Sequence, residues 1–213
     1  MTIYAFDFDG TLTTRDTLIE FIRYAKGNAS TFWGFALHAP ILVLMKLHLY
    51  PNWKAKQRIF AWFFKGMTIE CFDKMCQSFA KERQDLLRKD GQSIVSRATE
   101  QGKVLIVSAS IDNWVRPFFA KYAQNIDISC TRIDVRDGKL TGKFLTKNCY
   151  GKEKVKRLKH HYPFRETYRL VVMGDSKGDR ALIEEADTAY FRQHNGSLKR
   201  IKGESDDAVE PFL

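Results

Sequence analysis

The sequence predicts an α/β fold: a parallel sheet covered by helices, with a mostly helical cap inserted after the first strand. Three observations carry this reading. Short, nearly continuous apolar runs suit strands buried on both faces. Helical patterns alternate with them, which implies right-handed crossovers within one sheet. More than ninety residues then separate the first strand candidate from the next, too many for one crossover.

The elements follow in chain order. "TIYAFDF" (2–8) reads as the first strand, followed by helical patterns at 16–26 and 70–101. "KVLIVSAS" (103–110) is the second strand, then a helix at 112–123. "IDISCTRIDV" (126–135) is a third strand. Its end, with 139–145, also reads as a hairpin through the Asp-Gly of "RDGKL". A helix at 152–161, the strand "RLVVMGDS" (169–176), a helix at 179–186 and a weaker strand at 188–193 complete the pattern. The tail ending in "AVEPFL" has no assigned place. The expected division is a core of 1–15 and 95–213 with a cap of 16–94.

With 213 residues, 44% of them hydrophobic, the chain can build one core and a small second domain. Thirty-five Lys and Arg against 25 Asp and Glu give a charge of +10, which favours anionic partners. The four cysteines form no C-x-x-C pair, so no zinc or redox motif is read, and a reducing cytoplasm fits. The first residues lack a basic stretch leading into a long apolar run, so no secretory signal is expected.

Ligands of open parallel sheets bind beyond the carboxyl ends of the strands. Three strand candidates end in chemistry there: Asp7 and Asp9, then Ser108, then Asp175 and Asp179 of "GDSKGD". The basic helix start "YGKEKVKRL" lies between the last two. Four carboxylates gathered together repel one another unless a cation sits among them. Hard oxygen donors point to Mg²⁺, which bridges carboxylates to a substrate phosphate. A hydroxyl and helix-start N–H groups can hold phosphate oxygens, and a carboxylate can attack phosphorus. Alternation along a strand is expected to put Asp7 and Asp9 on one face, with Phe6 and Phe8 elsewhere.

"DFDGTLT", "VSAS", "GKEK" and "GDSKGD", in that order, resemble the four motifs of the haloacid dehalogenase superfamily. The insertion resembles the helical cap of its phosphoserine-phosphatase-like branch, and the likeness covers nearly the whole chain. It implies a Rossmann-like core and a Mg²⁺-dependent phosphatase working through an aspartyl-phosphate. On this resemblance Asp7 is the nucleophile and Asp9 the general acid–base. Asp9 must then hold a proton well above the reference value of about 3.9. Asp7, the main-chain carbonyl of Asp9 and Asp175 are the implied Mg²⁺ ligands, with Asp179 direct or behind them. Thr11 serves the nucleophile's surroundings, and Ser108 with Ala109 binds phosphate. Lys152 and Lys154 both stand at the helix start; the "E-K-V" form favours Lys154 and leaves Lys152 as the alternative.

In that branch an acidic residue after the first motif reads the amino acid. Here it is Asp16, one methylene shorter than the usual glutamate, and "SASIDNW" replaces a Ser-Gly-Gly sequence. Both departures point away from serine phosphate. The cap also holds "STFWGFALHAPILVLMKLHLY" (30–50), apolar from Phe32 to Met45 except at Gly34, His38 and Pro40. It is shorter than the roughly twenty residues a bilayer span needs, and Pro40 predicts a break. "RIFAWFF" (58–64) follows, with lysines around it. Two readings stand: a cap with its own small core, or peripheral contact with an anionic membrane and a lipid-phosphate substrate. His38 and His48 read as helix residues, not ligands. The apolar cap and the C-x-G-x-x-K pattern of Cys149, Gly151 and Lys154 resemble a bacterial subgroup that includes phosphatidylglycerophosphate phosphatases. The expected substrate is thus a small phosphorylated metabolite or a lipid phosphate. No nucleic acid is expected, and the expected location is cytoplasmic, including the inner face of a membrane.

The competing readings are a phospho-acceptor domain, a binding protein with a vestigial site, and another reaction on the same fold. An acceptor domain lacks the large insertion and carries its aspartate on a middle strand. Dehalogenases lack the second aspartate, so Asp9 disfavours that chemistry.

Overall fold

The computed structural model describes residues 1–212; Leu213, the last residue of the tail and of the expected core, lies outside them. In chain order the elements are β1 (Thr2–Phe6), α1 (Thr17–Leu37), α2 (Ala39–Lys46), α3 (Asn52–Phe64), α4 (Ile69–Glu82), α5 (Lys89–Gln101), β2 (Lys103–Ile111), α6 (Asp112–Val115), β3 (Ile126–Thr131), β4 (Ile133–Arg136), β5 (Lys139–Phe144), α7 (Lys152–His161), β6 (Arg169–Gly174), α8 (Arg180–Glu185), β7 (Thr188–Arg192) and β8 (Leu198–Lys202).

Six strands form the main sheet in the order β3-β2-β1-β6-β7-β8. The first five run parallel, and β8, which sequence pattern did not reveal, is an antiparallel edge. Alternation along β1 explains the unbroken apolar runs. Ile3 and Ala5 face a layer with Leu158 of α7 and Leu182 of α8. Tyr4 and Phe6 face the opposite layer, with Ile94, Val95 and Ala98 of α5. Both faces are covered, so neither can be polar. Because β1 lies between β2 and β6, three chemistry-bearing strand ends meet at one edge of the sheet.

Three expectations need correction. The first strand stops at Phe6; one further bond, Asp7 N–H to the Met173 carbonyl at 3.0 Å, ends the ladder. Beyond the ladder's end Asp7 and Asp9 still line one cavity, while Phe6 and Phe8 point into the other layer, Phe8 lying 5.6 Å from Phe118 and 5.7 Å from Phe119.

The stretch 70–101 is not one helix. α4 ends at Glu82, a 3₁₀ turn covers Gln84–Leu86, and α5 starts at Lys89. The chain needs that break to pair with its own outgoing segment. Thr14 N–H donates to the Leu86 carbonyl at 2.8 Å, and Arg88 N–H to the Leu12 carbonyl at 2.8 Å. The insertion thus returns at 86–88, and α5 lies on the sheet rather than closing the cap at 94.

The third strand splits at Arg132. β3 stays in the main sheet, while β4 and β5 form a separate antiparallel hairpin. That hairpin packs on the cap: Gly66 N–H donates to the Leu140 carbonyl at 2.8 Å, and Phe144 N–H to Gln57 Oε1 at 2.9 Å. The cap is therefore built from two separate pieces of chain.

The cap has an aromatic core. Phe21 stacks on Trp114 at 4.9 Å and meets Phe79 at 5.2 Å, Phe64 at 5.4 Å and Phe72 at 5.5 Å. α1 is interrupted at Gly27, whose φ of 77° glycine adopts without a Cβ penalty. The chain bends by 62° into α2, where Pro40 sits in the first turn. The small-core reading holds for Phe21, Phe60 and Phe64 but fails for the stretch after Gly27. Phe32, Trp33, Leu37, Val43 and Leu44 are exposed, and α2 buries no residue. No single described helix is long and apolar enough to cross a membrane. The unplaced tail returns to the core, burying Ala208 and Val209.

Candidate active site

Asp7 leaves β1 directly beneath α7. Its carboxylate lies 2.6 Å from the Lys154 ammonium, and Asp179 lies 2.6 Å from the same nitrogen. Lys154 is 2% exposed, whereas Lys152 points to solvent. Of the two lysines, only Lys154 is in the acidic group. Asp179 accepts from the N–H groups of Asp175 (3.2 Å) and Ser176 (3.0 Å) and from the Ser176 hydroxyl (2.9 Å). These bonds clamp the turn after β6.

Asp175 accepts from the Thr11 hydroxyl at 3.2 Å, which is how Thr11 serves the site; its hydroxyl is bonded to a carboxylate. Gly10, at φ 75°, passes so close to Asp175 that a Cβ would collide with its carboxylate. One carboxylate oxygen from each of Asp7, Asp175 and Asp179 can be chosen so that all lie within 4.8 Å of one another. Burial pushes the Asp7 carboxyl up to about 8; Lys154 opposes this, while Asp179 and Asp175 add to it. Burial and then Asp179 raise Asp175 as well. One ammonium does not balance three carboxylates, and the donor set is all hard oxygen. These residues fit a divalent cation of the Mg²⁺ type.

Asp9 is separate from this group. Its carboxylate accepts from the Thr17 N–H at 2.8 Å, the Thr17 hydroxyl at 2.6 Å and the Ser110 hydroxyl. Trp114 Nε1–H fixes the Thr17 hydroxyl in turn, at 3.1 Å. The Asp9 side chain is thus committed away from the acidic group, which leaves its main-chain carbonyl, the atom the resemblance implied, as its share in holding a cation. Burial raises the Asp9 carboxyl, Asp16 adds to the rise, and Lys56, Ser110 and Thr17 oppose it.

Ser108 is buried at the cavity wall, its oxygen accepting from Ser110 N–H at 3.1 Å. The Ala109 carbonyl accepts from Lys56 Nζ at 2.9 Å and from Thr131 at 3.0 Å. The β2–β3 register shifts between Ser108 and Ile111, an irregularity of the kind that re-aims side chains beside sites. Asp16 caps α1, accepting from Leu18 N–H at 2.9 Å and Ile19 N–H at 3.4 Å. Its carboxylate is therefore occupied by the helix although it lines the cavity.

Sequence reasoning missed Thr17, Ser110 and Lys56. Ser110 has a local signal, lying two residues after Ser108 on one strand. Thr17 and Lys56 have none, since both reach the site from the cap.

The cavity measures about 500 Å³. Its floor holds Asp7, Asp9, Ser108, Lys154 and Asp175; the cap contributes apolar Ile19, Phe35, Leu42, Met45 and Ile59 together with polar Asp16, Asn52 and Lys56. A polar floor under a roof that mixes apolar side chains with a few polar ones can hold a phosphoryl group below and an organic remainder with apolar parts above.

A profile of haloacid dehalogenase-like hydrolases matches residues 4–184. The chain is 31% identical over 197 residues to Protein CicA of Caulobacter vibrioides, covering 91% of this chain and 87% of that one. A protein of unknown function from Bordetella pertussis Tohama I superposes with a TM-score of 0.75 at 14% identity, covering 89% of each chain. A phosphoserine phosphatase solved as a phospho-aspartyl intermediate analogue superposes with a TM-score of 0.59 at 20% identity, over 88% of this chain and 84% of the other. Likeness at these identities establishes a shared fold.

Proposed function

The chain belongs to the haloacid dehalogenase-like hydrolase family, and from that premise we propose that it is a Mg²⁺-dependent phosphomonoesterase working through an aspartyl-phosphate on Asp7. One observation carries the reading: two aspartates two residues apart lie in different environments. Asp7 is paired with the Lys154 ammonium, and Asp9, away from it, accepts from the Thr17 and Ser110 hydroxyls. Two carboxyl groups pushed into different roles are how one site runs nucleophilic and acid–base chemistry together.

In the first step an Asp7 oxygen attacks phosphorus and the ester P–O bond breaks. Asp9 gives its proton to the departing alkoxide. In the second step Asp9, now a carboxylate, takes a proton from water as the water oxygen attacks the same phosphorus. The P–O bond to Asp7 breaks and inorganic phosphate leaves. Lys154 favours the charged form of Asp7 and orients it, and the Ser108 hydroxyl with nearby N–H groups binds phosphoryl oxygens. When bound, Mg²⁺ would be held by Asp7, Asp175 and the Asp9 carbonyl, with Asp179 behind them, and would neutralise charge on the phosphoryl group. The apolar share of the roof, Ile19, Phe35, Leu42, Met45 and Ile59, supports a phosphomonoester with a hydrophobic group, lipid phosphates among them.

The test is turnover of an aryl phosphate by the full chain, with and without Mg²⁺. Metal-dependent release of phosphate, abolished in Asp7→Asn, is the expected result. A stable acyl phosphate without turnover would make the protein a phospho-acceptor, and no reaction with any phosphomonoester would leave a binding protein.

A further inference from the structure

From Phe21 to Ile69 the chain carries seven Lys and Arg and no Asp or Glu. The same segment presents the molecule's largest concentration of exposed apolar side chains. Trp33 is 70% exposed, Leu49 72% and Trp62 58%, with Phe32, Leu37 and Leu47 close to these values. Exposed apolar surface of this extent marks an interaction site.

The pieces adjoin one another. Phe32 and Trp33 touch edge-to-face at 5.4 Å. Trp33, Leu37 and Trp62 line one groove, with Lys26 at its edge. Phe32 lines a neighbouring groove with Phe35, and Phe35 also lines the catalytic cavity. Beyond the 62° bend, α2 adds Val43 and Leu44, with Lys46 in its last turn and its remaining residues unburied. Lys54 lies 5.5 Å from the Trp53 ring. The surface is apolar with cations at its edges and no anion in the segment.

We propose that this face of the cap, formed by the second half of α1, by α2 and by the exposed side of α3, docks on an anionic lipid bilayer. Three features of the surface match a bilayer interface. Tryptophans suit the headgroup level, where one end of the ring is apolar and the other wet. Lysines beside an apolar face lay their stems along it and reach anionic headgroups with their charge. No single described helix is long and apolar enough to cross a bilayer, and the 62° bend between α1 and α2 suits helices that lie in the interface plane. Charge separates this occupant from a second copy: two copies facing each other here would bring like charges together.

Three of the four tryptophans, Trp33, Trp53 and Trp62, are on this face, while Trp114 is buried. The full chain should therefore sediment with vesicles of phosphatidylcholine and phosphatidylglycerol at low salt, its emission shifting to the blue. It should bind vesicles of phosphatidylcholine alone much more weakly. Lys46→Glu should weaken partitioning about fivefold or more, the factor for about 1 kcal/mol per basic residue near the surface. Trp33→Ser should weaken it independently of charge. Neither residue belongs to the catalytic machinery, so aryl phosphate turnover serves as the folding control for both variants. No sedimentation of an enzyme active on aryl phosphate would overturn the docking while leaving the phosphatase reading intact. So would equal binding to both vesicle types, or a stable dimer by light scattering that ignores vesicles. Vesicle binding by a protein inert towards every phosphomonoester would do the opposite, upholding the docking and removing the phosphatase.

Discussion

Lys154 and Asp7 meet at 2.6 Å with neither side chain more than a tenth exposed, so the proposed nucleophile and its counter-charge are buried as a pair. Lys154→Met should lower kcat by about 10²- to 10³-fold, the scale for losing one preorganised electrostatic contact. It should also cost about 3–5 kcal/mol, because it strands buried carboxylates. Lys152→Ala, at an exposed position, should change stability by no more than about 0.5 kcal/mol and leave turnover near wild type. Steady-state kinetics with urea unfolding of both variants makes the comparison; equal effects would remove the distinction between the two lysines.

The Asp9 carboxyl is raised by burial and by Asp16. A raised value means that the proton persists to higher pH, and the acid form is lost only as pH climbs through it. Turnover limited by leaving-group departure should thus decline on the alkaline side. Asp9→Asn should lose about 10²- to 10⁴-fold, the usual worth of a positioned acid–base, and should lose that alkaline decline. Thr17→Val removes one donor to Asp9 and should lower kcat more than it raises KM. A pH–rate profile unchanged in Asp9→Asn would count against the assignment.

Metal-free protein should become less stable as pH rises. The folded-state value of Asp7 is raised to about 8 by burial, then by Asp179 and Asp175 against the opposition of Lys154. Its contribution is complete below the unfolded value of about 3.9 and is lost as pH rises through the folded one. Mg²⁺ should reverse the loss, raising Tm most at high pH, since a ligand that binds only the folded state stabilises it. Asp175→Asn should abolish that Mg²⁺-dependent rise. Calorimetry between pH 5 and 9 with and without Mg²⁺ reads all three expectations.

Asp16 accepts two N–H groups at the start of α1. Asp16→Ala should cost about 1 kcal/mol, and Asp16→Asn much less, because Asn caps nearly as well. A rise in KM in both variants with unchanged unfolding would show instead that Asp16 acts on substrate.

The core was legible in the sequence because β1, β2 and β6 are covered on both faces, and burial leaves an unbroken apolar run. The aspartates were legible because strand ends in such sheets are where ligands bind. The limits of the cap were not: α4 and α5 share a helical period, and it is pairing of 12–14 with 86–88 across the chain that breaks it. The separate hydrogen-bond partners of Asp7 and Asp9 were not legible, because Lys154, Thr17 and Ser110 come from distant parts of the chain. Lys56 and Thr17 reach the site from the cap, a meeting of segments that one-dimensional pattern cannot register.

The hairpin of β4 and β5 has a consequence for how this molecule can be inherited and rebuilt. Thr13 and Leu87 are adjacent, so the helical insertion could be cut out and the ends rejoined with little slack. Yet Leu140 and Phe144 would then lose the surface of α3 against which they rest. Shuffling the helices alone between relatives would strand a sticky ribbon, whereas moving both segments together would transplant a complete roof. The unit of exchange is two stretches of chain far apart in the gene, and selection must keep them in step.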